Sequence, residues 1–241
     1  MSPRRSPGSM SEPGNGRTAL VTGGTGGLGT GVTTTLLDAG WRVVVPWFNP
    51  KELDRLPPRD GLVLVEADLA DPDSVARCVT MAATADPDRP LRAAVNLVGG
   101  FAMGGRVHET PVEEFEAQLR LNLRPTYLVC QAVLPHLVAA GGGALICVSS
   151  QSVRRPFTGA AGYLTSKTAV LGLVDALHAE YARDGVRVNA IMPGTIDTPG
   201  NRAAQPDADR SGWTQPAAIG RVILFLCGDE GAAISGAQIP V

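Results

Sequence analysis

Tyr163 and Lys167 stand four residues apart in a segment that continues in a helical pattern to Arg183, so both side chains leave one helix face and can reach a common point. A tyrosine hydroxyl, with an ordinary pKa of about 10, is a weak acid or base at neutral pH, and a neighbouring ammonium favours the phenolate and brings it towards working range. The pair suits proton transfer to or from an alcohol or carbonyl oxygen. Just upstream, residues 141–150 read GGGALICVSS, the pattern of a buried strand with Ser149 and Ser150 at its carboxyl end. In open α/β sheets ligands sit at that edge.

Such residues need a scaffold, and residues 18–40 supply its first unit: a short β-type run, a glycine loop and a helix-like segment closed by Gly40. Glycines let the backbone turn tightly and approach a pyrophosphate, while a helix start offers free N–H groups and a positive dipole end. The loop fits GxGxxG through Gly24, Gly26 and Gly29. The next strand, WRVVVP, should end beside the adenosine ribose, where a carboxylate selects NAD and a base favours the 2'-phosphate of NADP. Pro46, Trp47, Phe48 and Asn49 stand there, so neither signal is present. Without the acid the usual repulsion against NADP is gone, which gives a slight lean to NADPH over NAD. Arg42 and Lys51 are the distant basic candidates, and Trp47 either covers the adenine or packs, packing being the preferred role.

Residues 61–75 form another strand and helix start, with Asp71 as N-cap before Pro72. Residues 91–101 give a further strand ending in Asn96, Leu97, Val98, Gly99 and Gly100. Residues 111–140 carry a long helical pattern interrupted by Pro125, which has no N–H and frees a carbonyl near Leu121 or Asn122. A strand ending at Pro193-Gly194 follows the catalytic stretch; residues 198–213, polar and turn-rich, suggest a mobile lid. An amphipathic helix and a last strand close the chain. Alternating strands and helices around a glycine crossover predict a doubly wound parallel α/β sheet.

At 241 residues one domain, 17–241, is expected, behind a Pro-, Gly- and Ser-rich tail (1–16) that reads as disordered and has no signal-peptide core. The net charge of -2, from 21 basic and 23 acidic side chains well mixed, gives no footprint for nucleic acid or a membrane surface. Four widely spaced cysteines in apolar segments suggest buried reduced thiols and a cytoplasmic protein, with no metal site.

Ser150 thirteen positions before Tyr163, followed by Tyr-x-x-x-Lys, resembles the catalytic signature of the short-chain dehydrogenases/reductases, and Thr22, Gly23, Gly27 and Gly29 fit that family's TGxxxGxG. The resemblance implies a Rossmann fold and an NAD(P)-dependent oxidoreductase, in first place a ketoreductase, acting on a small-molecule substrate as a homodimer or homotetramer. It assigns Tyr163 as acid/base and gives Lys167 two tasks, lowering the tyrosine pKa and holding the ribose. Ser150 orients the substrate oxygen, and Asn122 completes a proton relay through a water on its main chain. Implied cofactor contacts are Gly23, Thr25, Gly27, Leu28 and Gly29 in the loop, Asp68 and Leu69 at the adenine, and Asn96, Val98 and Gly99. Tyr163, Lys167, Pro193, Gly194, Ile196 and Thr198 border the nicotinamide side. Asp68 suits a turn-forming role equally well, and the family's second Asn after Asn96 is replaced by Leu97. Residues 195–213 also resemble the lid of dihydropteridine reductases, which keeps reduction of a pterin-like C=N bond as an alternative. A dinucleotide-binding sensor without turnover is another. Phe101, Met103, Arg154, Arg155, Phe157 and Trp213 are candidates for the substrate pocket.

Overall fold

The computed structural model describes residues 16–241, so residues 1–15 of the expected N-terminal tail lie outside the described residues. Elements alternate from the start: β1 (Thr18–Thr22), α1 (Gly29–Asp38), β2 (Arg42–Trp47), β3 (Leu62–Glu66), α2 (Pro72–Thr84) and β4 (Leu91–Asn96). Next come α3 (Val112–Asn122), α4 (Arg124–Ala139), β5 (Gly143–Val148) and α5 (Ala161–Tyr181). Then β6 (Val186–Met192), α6 (Pro199–Ala204), α7 (Pro216–Cys227) and β7 (Gln238–Pro240) complete the chain. A 3-10 turn, Pro50–Arg55, joins β2 to the following loop.

The seven strands among the described residues are all parallel, in the order β3-β2-β1-β4-β5-β6-β7. The order reverses direction between β1 and β4, and a crevice opens at such a switch point beyond the strands' carboxyl ends. Register keeps those ends level, with Thr22 opposite Asn96 and Asn96 opposite Cys147. The residues after each strand therefore emerge along one edge.

Both sheet faces are covered, so the strands are mainly apolar and their alternation divides one core from the other. Leu20 and Val44 pack with Val75, Val133 and Val174 on one side, beneath α2, α4 and α5. Ala19, Val21, Val43 and Val45 face Val32, Leu36 and Ile223 of α1 and α7 on the other. A side chain as buried as Leu20 contributes roughly 1.5–3 kcal/mol. Asp71 caps α2 by accepting from the backbone N–H groups of Asp73 and Ser74, with Pro72 in the first turn.

The long helical pattern of 111–140 is two helices broken at Leu123, with Pro125 in the first turn of α4. Proline is tolerated there because the N–H it lacks has no helical partner in a first turn. No helix among the described residues is long and apolar enough to cross a membrane.

Candidate active site

At the switch point a cleft of about 710 Å³ runs from the glycine loop to the start of α6. One end is bare backbone. Gly23 turns out of β1 with φ +66°, and a Cβ added to Gly29 would stand 1.9 Å from the Gly23 carbonyl oxygen. On the facing side a Cβ on Gly27 would come within 2.8 Å of Thr198 Cβ. No side chain caps the N-terminus of α1, and its first turn carries no acid. These exposed main-chain groups and the uncancelled dipole fit a dinucleotide pyrophosphate.

The centre of the cleft holds the predicted catalytic group. Ser150 caps a 3-10 turn, Gln151–Arg154, accepting from Ser152 N at 3.2 Å and donating to Ser152 Oγ at 3.1 Å, and it shares the cleft wall with Tyr163. Tyr163 lies in the first turn of α5, its ring edge-on to Phe101 at 5.0 Å between centroids. Burial pushes the Tyr163 pKa up, and the Ser150 hydroxyl opposes that shift. Lys167, 6 % exposed, donates to the Val148 carbonyl at 3.1 Å. Its own pKa falls from 10.5 to about 8, because burial disfavours the ammonium more than the nearby Cys147 thiol restores it. At Tyr163 desolvation sets the direction of the shift.

Asn122 is fully buried at the end of α3. Its side-chain oxygen accepts from Gly100 N at 3.0 Å, and its carbonyl accepts the Thr126 hydroxyl at 3.0 Å. A Cβ on Gly99 would lie 2.5 Å from Asn122 Oδ1 and 2.9 Å from Lys167 Nζ, so the loop after β4, α3 and α5 converge on that glycine.

Gly23, Gly27, Leu28, Gly29, Val98, Gly99, Pro193, Gly194, Ile196 and Thr198 all line the cleft with Ser150, Tyr163 and Lys167. Asn96 does not: it is 2 % exposed beneath the floor, its amide donating towards the sulfurs of Cys130 and Cys147. Its side chain supports the wall from beneath. Asp68 and Leu69 also stand outside the wall, the Asp68 carboxylate accepting from Ala70 N at 2.8 Å in its own turn and Leu69 packing on the core. Thr25 is buried, with its hydroxyl donating to Glu52. Arg42 is no phosphate candidate, since it is buried and donates to Thr18 Oγ1 and the Ala82 carbonyl.

Glu52 and Arg55 line the cleft and were missed by reading the strand end alone. Their signal was available in PKELDR, where a proline-initiated turn of three residues per turn eclipses residues three apart. The expected lid is partly helical. Thr198 caps α6, and Asp197 pairs with Arg202 at 2.7 Å and accepts from Gln215 at 2.6 Å, contacts that hold its pKa down at about 2.

Beside Tyr163 a second cavity of about 720 Å³ has mainly apolar walls, including Met103, Val107, Val112 and Phe115. Phe157 lies 6.1 Å from Phe101, extending an aromatic rim towards Tyr163. Arg154 and Arg155 are exposed and outside both cavities, and Trp213 packs under Arg210 at 5.7 Å. The four cysteines are buried and free.

Residues 17–209 match the family described as short chain dehydrogenase. The chain is 32 % identical over 241 residues to 2-(R)-hydroxypropyl-CoM dehydrogenase of Xanthobacter autotrophicus, covering 92 % of this chain and 96 % of that one. It is 29 % identical to 2,5-dichloro-2,5-cyclohexadiene-1,4-diol dehydrogenase LinX of Sphingobium indicum, covering 94 % of each. A short-chain type dehydrogenase/reductase from Mycobacterium ulcerans superposes with a TM-score of 0.87 at 27 % identity, over 95 % of this chain and 89 % of that one. ElxO with NADP bound shares the fold at 22 % identity with a TM-score of 0.85, over 93 % and 96 % of the two chains.

Proposed function

The chain belongs to the short-chain dehydrogenase family and is an NAD(P)-dependent oxidoreductase, and from that premise we propose that it works as a ketoreductase, with Tyr163, Ser150, Lys167 and Asn122 as its catalytic set. The observation that carries this reading is that Ser150, Tyr163 and Lys167 share the wall of one cleft with bare glycine backbone. The nicotinamide, when bound, supplies or accepts the hydride. Ser150 holds the carbonyl oxygen in line with the phenol, and Tyr163 gives that oxygen its proton. Lys167 provides positive charge at the ribose end, and Asn122 fixes the Gly99-Gly100 backbone beside it. The apolar cavity and its aromatic rim favour a small hydrophobic ketone. With no acid at the end of β2, NADPH is the favoured reductant.

Initial rates with NADPH over a panel of ketones, alcohols and quinonoid pterins, followed by nicotinamide absorbance, test the assignment. Turnover confined to pterins would replace the ketoreductase reading, and no turnover with any class would leave a sensor.

Lys167 sets a pH dependence. Reduction needs its ammonium, so kcat/KM for the cofactor is expected to fall above about pH 8, where the folded protein releases this proton. The unfolded chain keeps the proton to 10.5, so this group makes folding more favourable as pH rises from about 8 to 10.5. An alkaline limb set by Lys167 therefore reflects lost chemistry in a folded protein. A rate flat across that window would remove the lysine's charge from the mechanism.

An apolar groove between α3, α4 and α5, lined by Leu119, Leu123, Tyr127 and Leu173, supports a homodimer or homotetramer that pairs these helices. Light scattering is expected to give two or four times the chain mass. A monomer at micromolar concentration would overturn the assignment.

A further inference from the structure

The turn Pro50–Arg55 brings to the cofactor cleft a charged pair that neither the end of β2 nor the glycine loop provides. Asn49 caps the turn by accepting from Lys51 N at 3.1 Å, and Leu56 anchors its far end in the core at 4 % exposure. Glu52 Oε2 accepts the Thr25 hydroxyl at 2.7 Å. Glu52 Oε1 accepts from Arg55 Nη1 at 3.3 Å, and the same nitrogen donates to the Thr25 carbonyl at 3.4 Å. The pair is therefore fastened to the glycine loop itself.

The two charges are not equivalent towards a ligand. Glu52 has both oxygens engaged, one by the Thr25 hydroxyl and one by Arg55 Nη1. Arg55 has a half-exposed side chain, and among the described residues only its Nη1 has acceptors, so Nη2 and Nε remain as a planar fork of donors. Such a fork matches the oxygens of a phosphate. Of the other nearby bases, Arg42 is buried and engaged, and Lys51 is exposed outside the cleft wall. We infer that Arg55 is the residue that binds the 2'-phosphate of NADP(H), held in place by Glu52, and that it gives this chain its preference over NAD(H).

This inference rests on the dinucleotide reading of the cleft, and binding measurements separate the two. Calorimetry on the full chain gives dissociation constants for NADP+, NAD+ and adenosine 2',5'-bisphosphate, the last carrying the phosphate without a nicotinamide. The unaltered protein is expected to bind NADP+ at least about tenfold more tightly than NAD+, the discrimination one well-placed charged contact supplies. Arg55→Ala and Arg55→Gln should both erase that margin and weaken adenosine 2',5'-bisphosphate by a similar factor, leaving NAD+ within about twofold. The glutamine can still donate to the Thr25 carbonyl, so agreement between the variants assigns the loss to charge. Equal weakening of NADP+ and NAD+ would make Arg55 a prop for the glycine loop and overturn the inference. No effect on either, or equal affinity of the unaltered protein for both, would overturn it as well. Failure of the unaltered protein to bind either dinucleotide would instead refute the underlying oxidoreductase reading.

Discussion

Tyr163→Phe is expected to lower kcat about a hundredfold or more while the cofactor dissociation constant stays close to that of the unaltered protein. The substitution removes one oxygen and keeps the ring. Its edge-to-face contact with Phe101 at 5.0 Å survives, and the backbone of α5 that places Lys167 is undisturbed. Burial holds the phenol in its protonated form, which is the form that donates during reduction, so no neighbouring group replaces it at neutral pH. Ser150 retains a hydroxyl but is itself a far weaker acid, and Lys167 is turned to the Val148 carbonyl. Losing the hydroxyl's contact with Ser150 costs about 1 kcal/mol of stability at most, too little to unfold a domain with cores on both sheet faces. Single-turnover rates and calorimetric cofactor binding on the same preparation check the prediction. A variant with near-normal kcat would take Tyr163 out of the proton transfer.

Local spacing made the placement of the proposed catalytic group legible: Tyr163 and Lys167 share a helix face by period alone, and an apolar run that ends in hydroxyls places Ser150 at a strand's carboxyl edge. The parallel sheet followed from alternation, because buried strands and amphipathic helices have few other ways to cover both faces. What escaped depends on contacts between segments distant in sequence. Asn96 sits at the strand end where a cofactor contact is expected, but the register that sets Cys147 opposite it, with Cys130 of α4 packed above, draws its amide inward. The burial of Lys167 was not legible for the same reason: helical spacing shows that two side chains converge and says nothing of how dry their meeting point is. Glu52 and Arg55 lie beyond the strand end that carries the usual selectivity signal, and only the fold of the 3-10 turn returns them to the glycine loop.

Gly29→Ala is expected to abolish detectable dinucleotide binding at micromolar protein and to lower the melting temperature. The added Cβ would stand 1.9 Å from the Gly23 carbonyl oxygen and 2.6 Å from Gly24 Cα, and both are backbone atoms that cannot rotate aside. The displacement must be absorbed by the turn that leaves β1, whose Gly23 already occupies the left-handed region at φ +66°. Overpacking of this kind costs roughly 1–3 kcal/mol, and for a chain of this size each kcal/mol lowers Tm by roughly 2–4 °C. The loss of binding exceeds what that destabilisation alone would cause, because the moved backbone is the surface that fits the pyrophosphate. Gly212→Ala provides the contrast: nothing lies within 4 Å of its added Cβ, so stability should change by no more than about 0.5 kcal/mol and binding not at all. Thermal unfolding with and without saturating NADP+ separates fold from site, since a ligand raises Tm only in proportion to how tightly it holds the folded state. Gly29→Ala should melt early and show no ligand-induced shift, whereas Gly212→Ala should match the unaltered protein in both respects. A Gly29→Ala protein that still shifts fully with NADP+ would mean that the loop relaxes around the methyl group, and the pyrophosphate would then have to be placed elsewhere in the cleft.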